Sequence, residues 1–249
     1  MSHRCLVLGG SGAVGSAICR MLAREGSSIA FTYYQNQTAA MELARNCGFS
    51  FAMRCDLADY AGVTATVDLA AERLGGLDAL IVAAGTSGDD RFWKCASPSN
   101  YDKLQQIDQA AFDEMMAVNA RGILAACQPA ARWMRKNGGG NILIIRSIDG
   151  IKPVPSPIHF AASTAAVKGM VEAMSKELGN YNIRVNIVAL GILEEGASRK
   201  LSHEVIDAYL KHCSLQRFGK CTEVAEIVCW LAWENTYMTG QAIILDGGL

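Results

Sequence analysis

The sequence predicts an α/β protein: one doubly wound domain, a seven-stranded parallel sheet flanked by helices. Three observations carry this. Short apolar runs alternate with longer helical patterns from end to end of the chain. Those runs lack in/out alternation, as expected of strands covered by helices on both faces. The first run is also followed by a glycine-rich turn that opens a helix, the usual start of a strand–helix–strand series.

The elements follow in order. Cys5-Leu6-Val7-Leu8 is the first strand, followed by a helix from about Val14 to Arg24. Ser28–Tyr33 is the second strand and leads to a helix near Thr38–Arg45. Phe49–Met53 is a short strand before a helix near Ala61–Arg73. Asp78–Ala83 reads as a strand buried on both faces. A long helix covers roughly Gln109–Arg135 and stops at Asn137-Gly138-Gly139-Gly140. Asn141–Ile145 is a strand, and a helix runs from the Pro153–Pro157 cluster to about Leu178. Ile183–Val188 is followed by helices near His203–Lys211 and Thr222–Trp233, and Gln241–Leu245 closes the sheet. No linker or composition break divides residues 1–249, so a single domain is expected.

Composition excludes several classes. The 249 residues are 51% hydrophobic and 19% charged, with a formal net charge of −1. Near-neutrality disfavours nucleic acid or an anionic membrane as the main partner, since both require a cationic face. No window approaches the ~18 unbroken apolar residues of a membrane span. Met1-Ser2-His3-Arg4 leads directly into a strand-like run, so no cleavable signal peptide is expected. The nine cysteines are odd in number and form no CxxC pair, which suits reduced core thiols in a cytoplasmic protein. The four histidines share no ligand spacing with them, so no metal site is expected.

Gly9, Ser11, Gly12, Val14 and Gly15 form a turn in which free N–H groups and the helix dipole can receive a phosphate. The alternative is a merely tight turn. The end of the second strand, Thr32-Tyr33-Tyr34-Gln35-Asn36, carries no carboxylate. An acidic residue there would bind the ribose diol of NAD; its absence favours NADP, with Tyr34 near the ribose and no arginine in this stretch for the 2′-phosphate. Asp56 is placed either to accept from an adenine amino group or to cap the helix that follows. Residues 86–108 are too long for a simple connection and leave a central strand at its ligand-binding end, as a lid or binding loop does; the alternative is a disordered, inert excursion.

Several motifs occur in one order: the Gly-rich turn, Cys55-Asp56-Leu57, Val82-Ala83-Ala84-Gly85, Val118-Asn119-Ala120-Arg121-Gly122, Arg146-Ser147-Ile148-Asp149-Gly150, Arg184-Val185-Asn186 and Thr239 through Gly248. In this they resemble the short-chain dehydrogenase/reductase family across essentially the whole chain. The segment from Leu215-Gln216-Arg217-Phe218-Gly219 to the end is most similar to 3-oxoacyl-acyl-carrier-protein reductases. The resemblance implies a Rossmann-type fold, NADP(H), and cofactor contacts at Leu57, Ala84, Gly85 and Leu193. It implies Asn119 and Ser147 as two of four catalytic residues. The family's Tyr and Lys map to Phe160 and Thr164, so both are replaced.

This removes a phenol that donates the proton and an ammonium that lowers its pKa. Such a loss typically costs ~10²–10⁴ in rate. Candidate substitutes are His159, Lys168, Asp149, a water held by Ser147 and Asn119, or an acidic group of the substrate. His159 points about 100° from Phe160 on a helix. Lys168 lies one turn beyond Thr164 and reads as a solvated or interface residue. Glu194-Glu195 places carboxylates where the family meets the cofactor with a small hydroxyl residue, which is repulsive toward a pyrophosphate. The expectation is an atypical NADP-dependent ketoreductase acting on β-ketoacyl thioesters or carrier-bound chains. The alternatives are a silent partner subunit of a hetero-oligomeric reductase, or a dehydratase, cyclase or isomerase on the same scaffold. A homo- or hetero-oligomer, dimer or tetramer, is implied, pairing through the two long helices and through the last strand.

Overall fold

The structure, a computed structural model, describes residues 2–48, 50–88, 104, 107–196 and 203–249. Seven strands are present: β1 (Arg4–Leu8), β2 (Ser28–Tyr33), β3 (Ser50–Arg54), β4 (Ala79–Val82), β5 (Gly140–Ser147), β6 (Ile183–Leu190) and β7 (Ala242–Leu245). They form one parallel sheet in the order β3-β2-β1-β4-β5-β6-β7. The order reverses between β1 and β4, so a crevice opens beyond the carboxyl ends of these two strands, where ligands of open α/β sheets bind.

The helices are α1 (Ala13–Arg24), α2 (Gln37–Asn46), α3 (Tyr60–Leu74), α4 (Gln109–Met116), α5 (Gly122–Lys136), α6 (Ile158–Leu178), α7 (His203–His212) and α8 (Cys221–Cys229). They divide the core into two layers. Val63 and Val67 of α3, Ile123 of α5 and Val167 and Val171 of α6 pack on one face of the sheet. Ile18 and Leu22 of α1 and Val224 and Val228 of α8 pack on the other. All four residues of β4 are buried, which explains its unbroken apolar run. Each fully buried Leu or Ile contributes about 1.5–3 kcal/mol.

Two differences from expectation have physical causes. β5 continues two residues past Ile145, because Arg146 and Ser147 pair in register with Ala189 and Leu190 of β6; parallel pairing overrides their polarity. The long helix is interrupted by a π-helical turn at Ala117–Arg121 between α4 and α5. Such turns insert a residue without a large penalty in composition, so hydrophobic periodicity does not reveal them. Of the segment expected to form a lid, residues 89–103 and 105–106 lie outside the described residues. Among the described residues no helix is long and apolar enough to cross a membrane. The eight described cysteines are unpaired, and seven are buried; Cys95 lies outside the described residues.

Candidate active site

The turn between β1 and α1 is built by close packing. Gly9 has φ +81°, and a Cβ there would sit 2.8 Å from Ala84. A Cβ on Gly15 would lie 2.1 Å from the Gly9 carbonyl. The Gly12 N–H donates to that same carbonyl at 3.0 Å, and the Gly9 N–H donates to Thr32 Oγ1 at 2.9 Å. Over Gly12 the space is open, with only the Gly9 oxygen at 3.4 Å. Asn36, Asp59 and Asp108 cap α2, α3 and α4 with their side chains, whereas α1 starts at Gly12 without a side-chain cap. A compact turn whose outer face is open and whose helix lacks a cap fits a phosphate group. Ser11 is half-buried on this turn, and Val14 packs toward the α1 and α8 core layer.

At the end of β2, Tyr34 is exposed. No arginine stands in the stretch after β2, but the sheet supplies one from the neighbouring strand. Arg54, which ends β3 and pairs with Tyr33, donates from Nε to the Tyr34 carbonyl at 3.4 Å. Its guanidinium carbon is 5.9 Å from the Tyr34 ring centre. The stretch Thr32–Asn36 itself has no arginine, as read from the sequence; Arg54 is 20 residues from Tyr34 in sequence, and only strand register joins them. Asp56 does not cap α3; that role belongs to Asp59, which accepts from the Gly62 N–H at 3.0 Å. Asp56 is exposed and accepts from the Ala58 N–H at 2.9 Å. Leu57 turns its side chain into the core.

Beyond β4 lies a polar cluster. Asn119, buried in the π-helical turn, accepts from the Thr86 N–H at 2.9 Å and donates to the Thr86 carbonyl at 2.8 Å. Its Nδ2 is also 3.3 Å from Ser163 Oγ on α6, so Asn119 ties the end of β4 to the helix that carries Phe160 and Thr164. The buried Arg146 guanidinium donates to the Ala84 carbonyl at 3.1 Å. A Cβ on Gly85 would be 2.4 Å from an Arg146 nitrogen and 3.0 Å from Asn119 Oδ1. No described carboxylate pairs with Arg146, and burial lowers its pKa to about 10. Arg146 Nε and the fully buried Thr164 hydroxyl have no hydrogen-bond partner among the described residues. Nothing in the sequence pattern singled out Arg146, since an arginine at a strand end usually reaches solvent.

Ser147 donates its hydroxyl to the carboxylate of Asp149. Asp149 is buried, and burial holds its pKa above the ordinary aspartate value, although the hydroxyls of Ser147 and Ser156 act in the opposite direction. The next residue, Gly150 (φ +78°), lies so close to α6 that a Cβ would meet the Ala161 carbonyl at 2.3 Å. His159 is buried, with its pKa lowered by burial, and its Nε2 is 3.6 Å from where a Gly88 Cβ would sit. Lys168 is half-buried and pairs with Glu172.

Leu193 is buried against Gly219, so only its backbone is available to a ligand. The following Glu194 and Glu195 are exposed, and Gly196 would place a Cβ 3.5 Å from Ala13 of α1. Arg217 bonds Glu223 at 2.7 Å and feels the charge of Glu194, which offsets part of the acidic character of this edge. No group of three or more His, Cys, Asp or Glu among the described residues is arranged to hold a metal ion.

Comparison with known proteins identifies the scaffold. Residues 10–249 match the family model described as enoyl-(acyl carrier protein) reductase. The 3-oxoacyl-[acyl-carrier-protein] reductase FabG of Thermotoga maritima is 30% identical over 98% of this chain and 96% of its own length. The 3-oxoacyl-[acyl-carrier-protein] reductase of Rattus norvegicus is 30% identical over 100% and 98%. The chain belongs to the short-chain dehydrogenase/reductase family. Among solved structures of that family, a short-chain dehydrogenase from Burkholderia cenocepacia in complex with NADP superposes with a TM-score of 0.87 at 29% identity, covering 99% of this chain and 97% of that one. A short-chain dehydrogenase/reductase from Serratia marcescens gives 0.86 at 30% identity, covering 98% and 96%. Family membership agrees with the strand order and the glycine turn derived above.

Proposed function

We propose that this chain is an NADP(H)-dependent reductase of acyl thioester or carrier-bound β-keto chains, with an atypical proton path. The observation that carries the cofactor part is the pairing of an open, uncapped phosphate turn with Arg54, which ends β3 and reaches the Tyr34 carbonyl just beyond β2. The turn receives the pyrophosphate, and Arg54 beside Tyr34 supplies the cation that a 2′-phosphate needs. Asp56 lies at the edge where an adenine amino group would be met. The two buried orphan groups, Arg146 Nε and the Thr164 hydroxyl, suit a polar ligand at the other end of the crevice better than an apolar one. When bound, the cofactor supplies the hydride; the chain holds the acceptor and delivers a proton.

In this reading Ser147 holds the substrate carbonyl, and Asn119 fixes the end of β4 to α6. Phe160 and Thr164 stand in the family's Tyr and Lys positions, so neither phenol nor ammonium takes part. A groove of about 380 Å³ lined by Ile107, Phe112, Ile158 and His159 is apolar enough for an acyl chain. The test is fluorescence titration with NADPH and NADH, followed by NADPH oxidation with an acetoacetyl thioester. Tight NADPH binding with slow turnover supports the reading; absence of binding overturns it. The missing hydroxyl of Phe160 also favours a second reading, a silent subunit beside an intact reductase. Under it the chain binds no NADPH and co-purifies with an intact homologue.

A further inference from the structure

The buried Asp149 carboxyl is an acidic group to which the proposed site gives no task. It shares a hydrogen bond with Ser147 and also meets Ser156. The backbone fixes this arrangement twice. Asp149 lies two residues after Ser147, with its N–H 3.5 Å from the same hydroxyl, and Gly150 is wedged against the α6 backbone at Ala161, the residue after Phe160. The loop that carries the carboxyl is therefore held against the α6 backbone one residue from Phe160.

We propose that Asp149 is the proton reservoir that replaces the missing phenol, acting through Ser147. The inference rests on the carbonyl-reductase reading above. A serine hydroxyl has one proton. With Asp149 ionised, that proton is directed to the carboxylate, as in the structure, and none faces a substrate oxygen. With Asp149 protonated, the carboxyl donates to Ser147 Oγ, and the serine proton is released toward the carbonyl. As the carbonyl carbon accepts the hydride of the reduced nicotinamide, the carbonyl C=O π pair becomes an oxygen lone pair. The Ser147 proton moves to that oxygen, the Asp149 proton moves to Ser147, and solvent reprotonates Asp149 after product leaves. Asp149 is a positioning and relay residue here, while Ser147 alone touches the substrate.

Other charged groups around this corner are otherwise engaged. The Lys152 ammonium, one turn further on, pairs with Asp246 at 2.8 Å. The Arg146 guanidinium, at the end of β5, turns to the Ala84 carbonyl. His159, on α6, faces Gly88. Asp149 forms no ion pair among the described residues, so the burial that favours its neutral form is not offset by a cation.

The test uses the whole chain. The Asp149 carboxyl is followed by carbon NMR in cofactor-free protein, identified by its loss in Asp149→Asn, and the pH profile of acetoacetyl-thioester reduction is measured in parallel. The carboxyl titrates above the usual aspartate range. Ser147→Ala raises it further, because the hydroxyl that favours the ionised form is gone. The turnover number of the wild type falls as pH rises through the same titration. Asp149→Asn loses that limb and ~10²-fold in turnover, while its NADPH affinity stays unchanged. An ordinary titration for Asp149, or a variant that keeps the limb, overturns the proposal. A wild type that binds NADPH but reduces no carbonyl overturns it too and leaves the cofactor assignment standing. A wild type that binds no NADPH removes both.

Discussion

The two ends of the crevice are built to different standards. On the side of β1, β2 and β3 the glycine turn is packed so closely that Gly9 and Gly15 tolerate no side chain, and Arg54 and Tyr34 form a cationic corner. On the side of β5 and α6, buried polar groups go unmatched among the described residues: Arg146 without a carboxylate, the Thr164 hydroxyl without a partner, and a serine whose proton is held by Asp149. The lesson concerns what each region answers to. A turn packed against Ala84 and Phe31 cannot take a side chain without a cost in stability, whereas a site position can exchange its chemistry and leave the fold intact.

The largest effect that sharpens this contrast comes from Gly15→Val. Its side chain would collide with the Gly9 carbonyl, and a loss of about 3 kcal/mol in stability is expected, with no NADPH binding by the residual folded protein; denaturant unfolding and titration check both. Next is Phe160→Tyr with Thr164→Lys, which under the proposed reading introduces an acid and its cation and raises carbonyl reduction by up to ~10²-fold. An unchanged rate would show that the pocket has been rebuilt rather than merely stripped of its acid. Arg54→Ala comes third, weakening NADPH by about tenfold, or ~1.4 kcal/mol, with NADH unaffected. Equal loss for both cofactors would remove Arg54 from the 2′-phosphate site. The smallest is Arg146→Met. Replacing a buried cation that has no carboxylate by an apolar residue of similar length is neutral or stabilising, so thermal unfolding should stay within about 4 °C of the wild type or rise.

The fold was legible because its signals are local and repeated. Continuous apolar strands such as Ala79–Val82, the uncapped helix after Gly12 and the glycine stop after the long helix each announce themselves in a few residues. Motif order pointed to Asn119 and Ser147 as candidates and mapped the family's Tyr and Lys onto Phe160 and Thr164. What escaped depends on contacts distant in sequence. Arg54 reaches Tyr34 through the β2–β3 register, and Arg146 reaches Ala84 across 62 residues. The π-helical turn around Asn119 leaves no compositional mark. That Asp59 and not Asp56 caps α3 depends on where the helix starts, the least certain feature of any sequence pattern.

The most direct measurement is calorimetric titration of the purified wild-type chain with NADPH and with NADH. Micromolar binding of NADPH, about tenfold or more tighter than NADH, is the result expected of an intact phosphate turn with Arg54 at its ribose end. No heat from either nucleotide at millimolar concentration, or a preference for NADH, contradicts it.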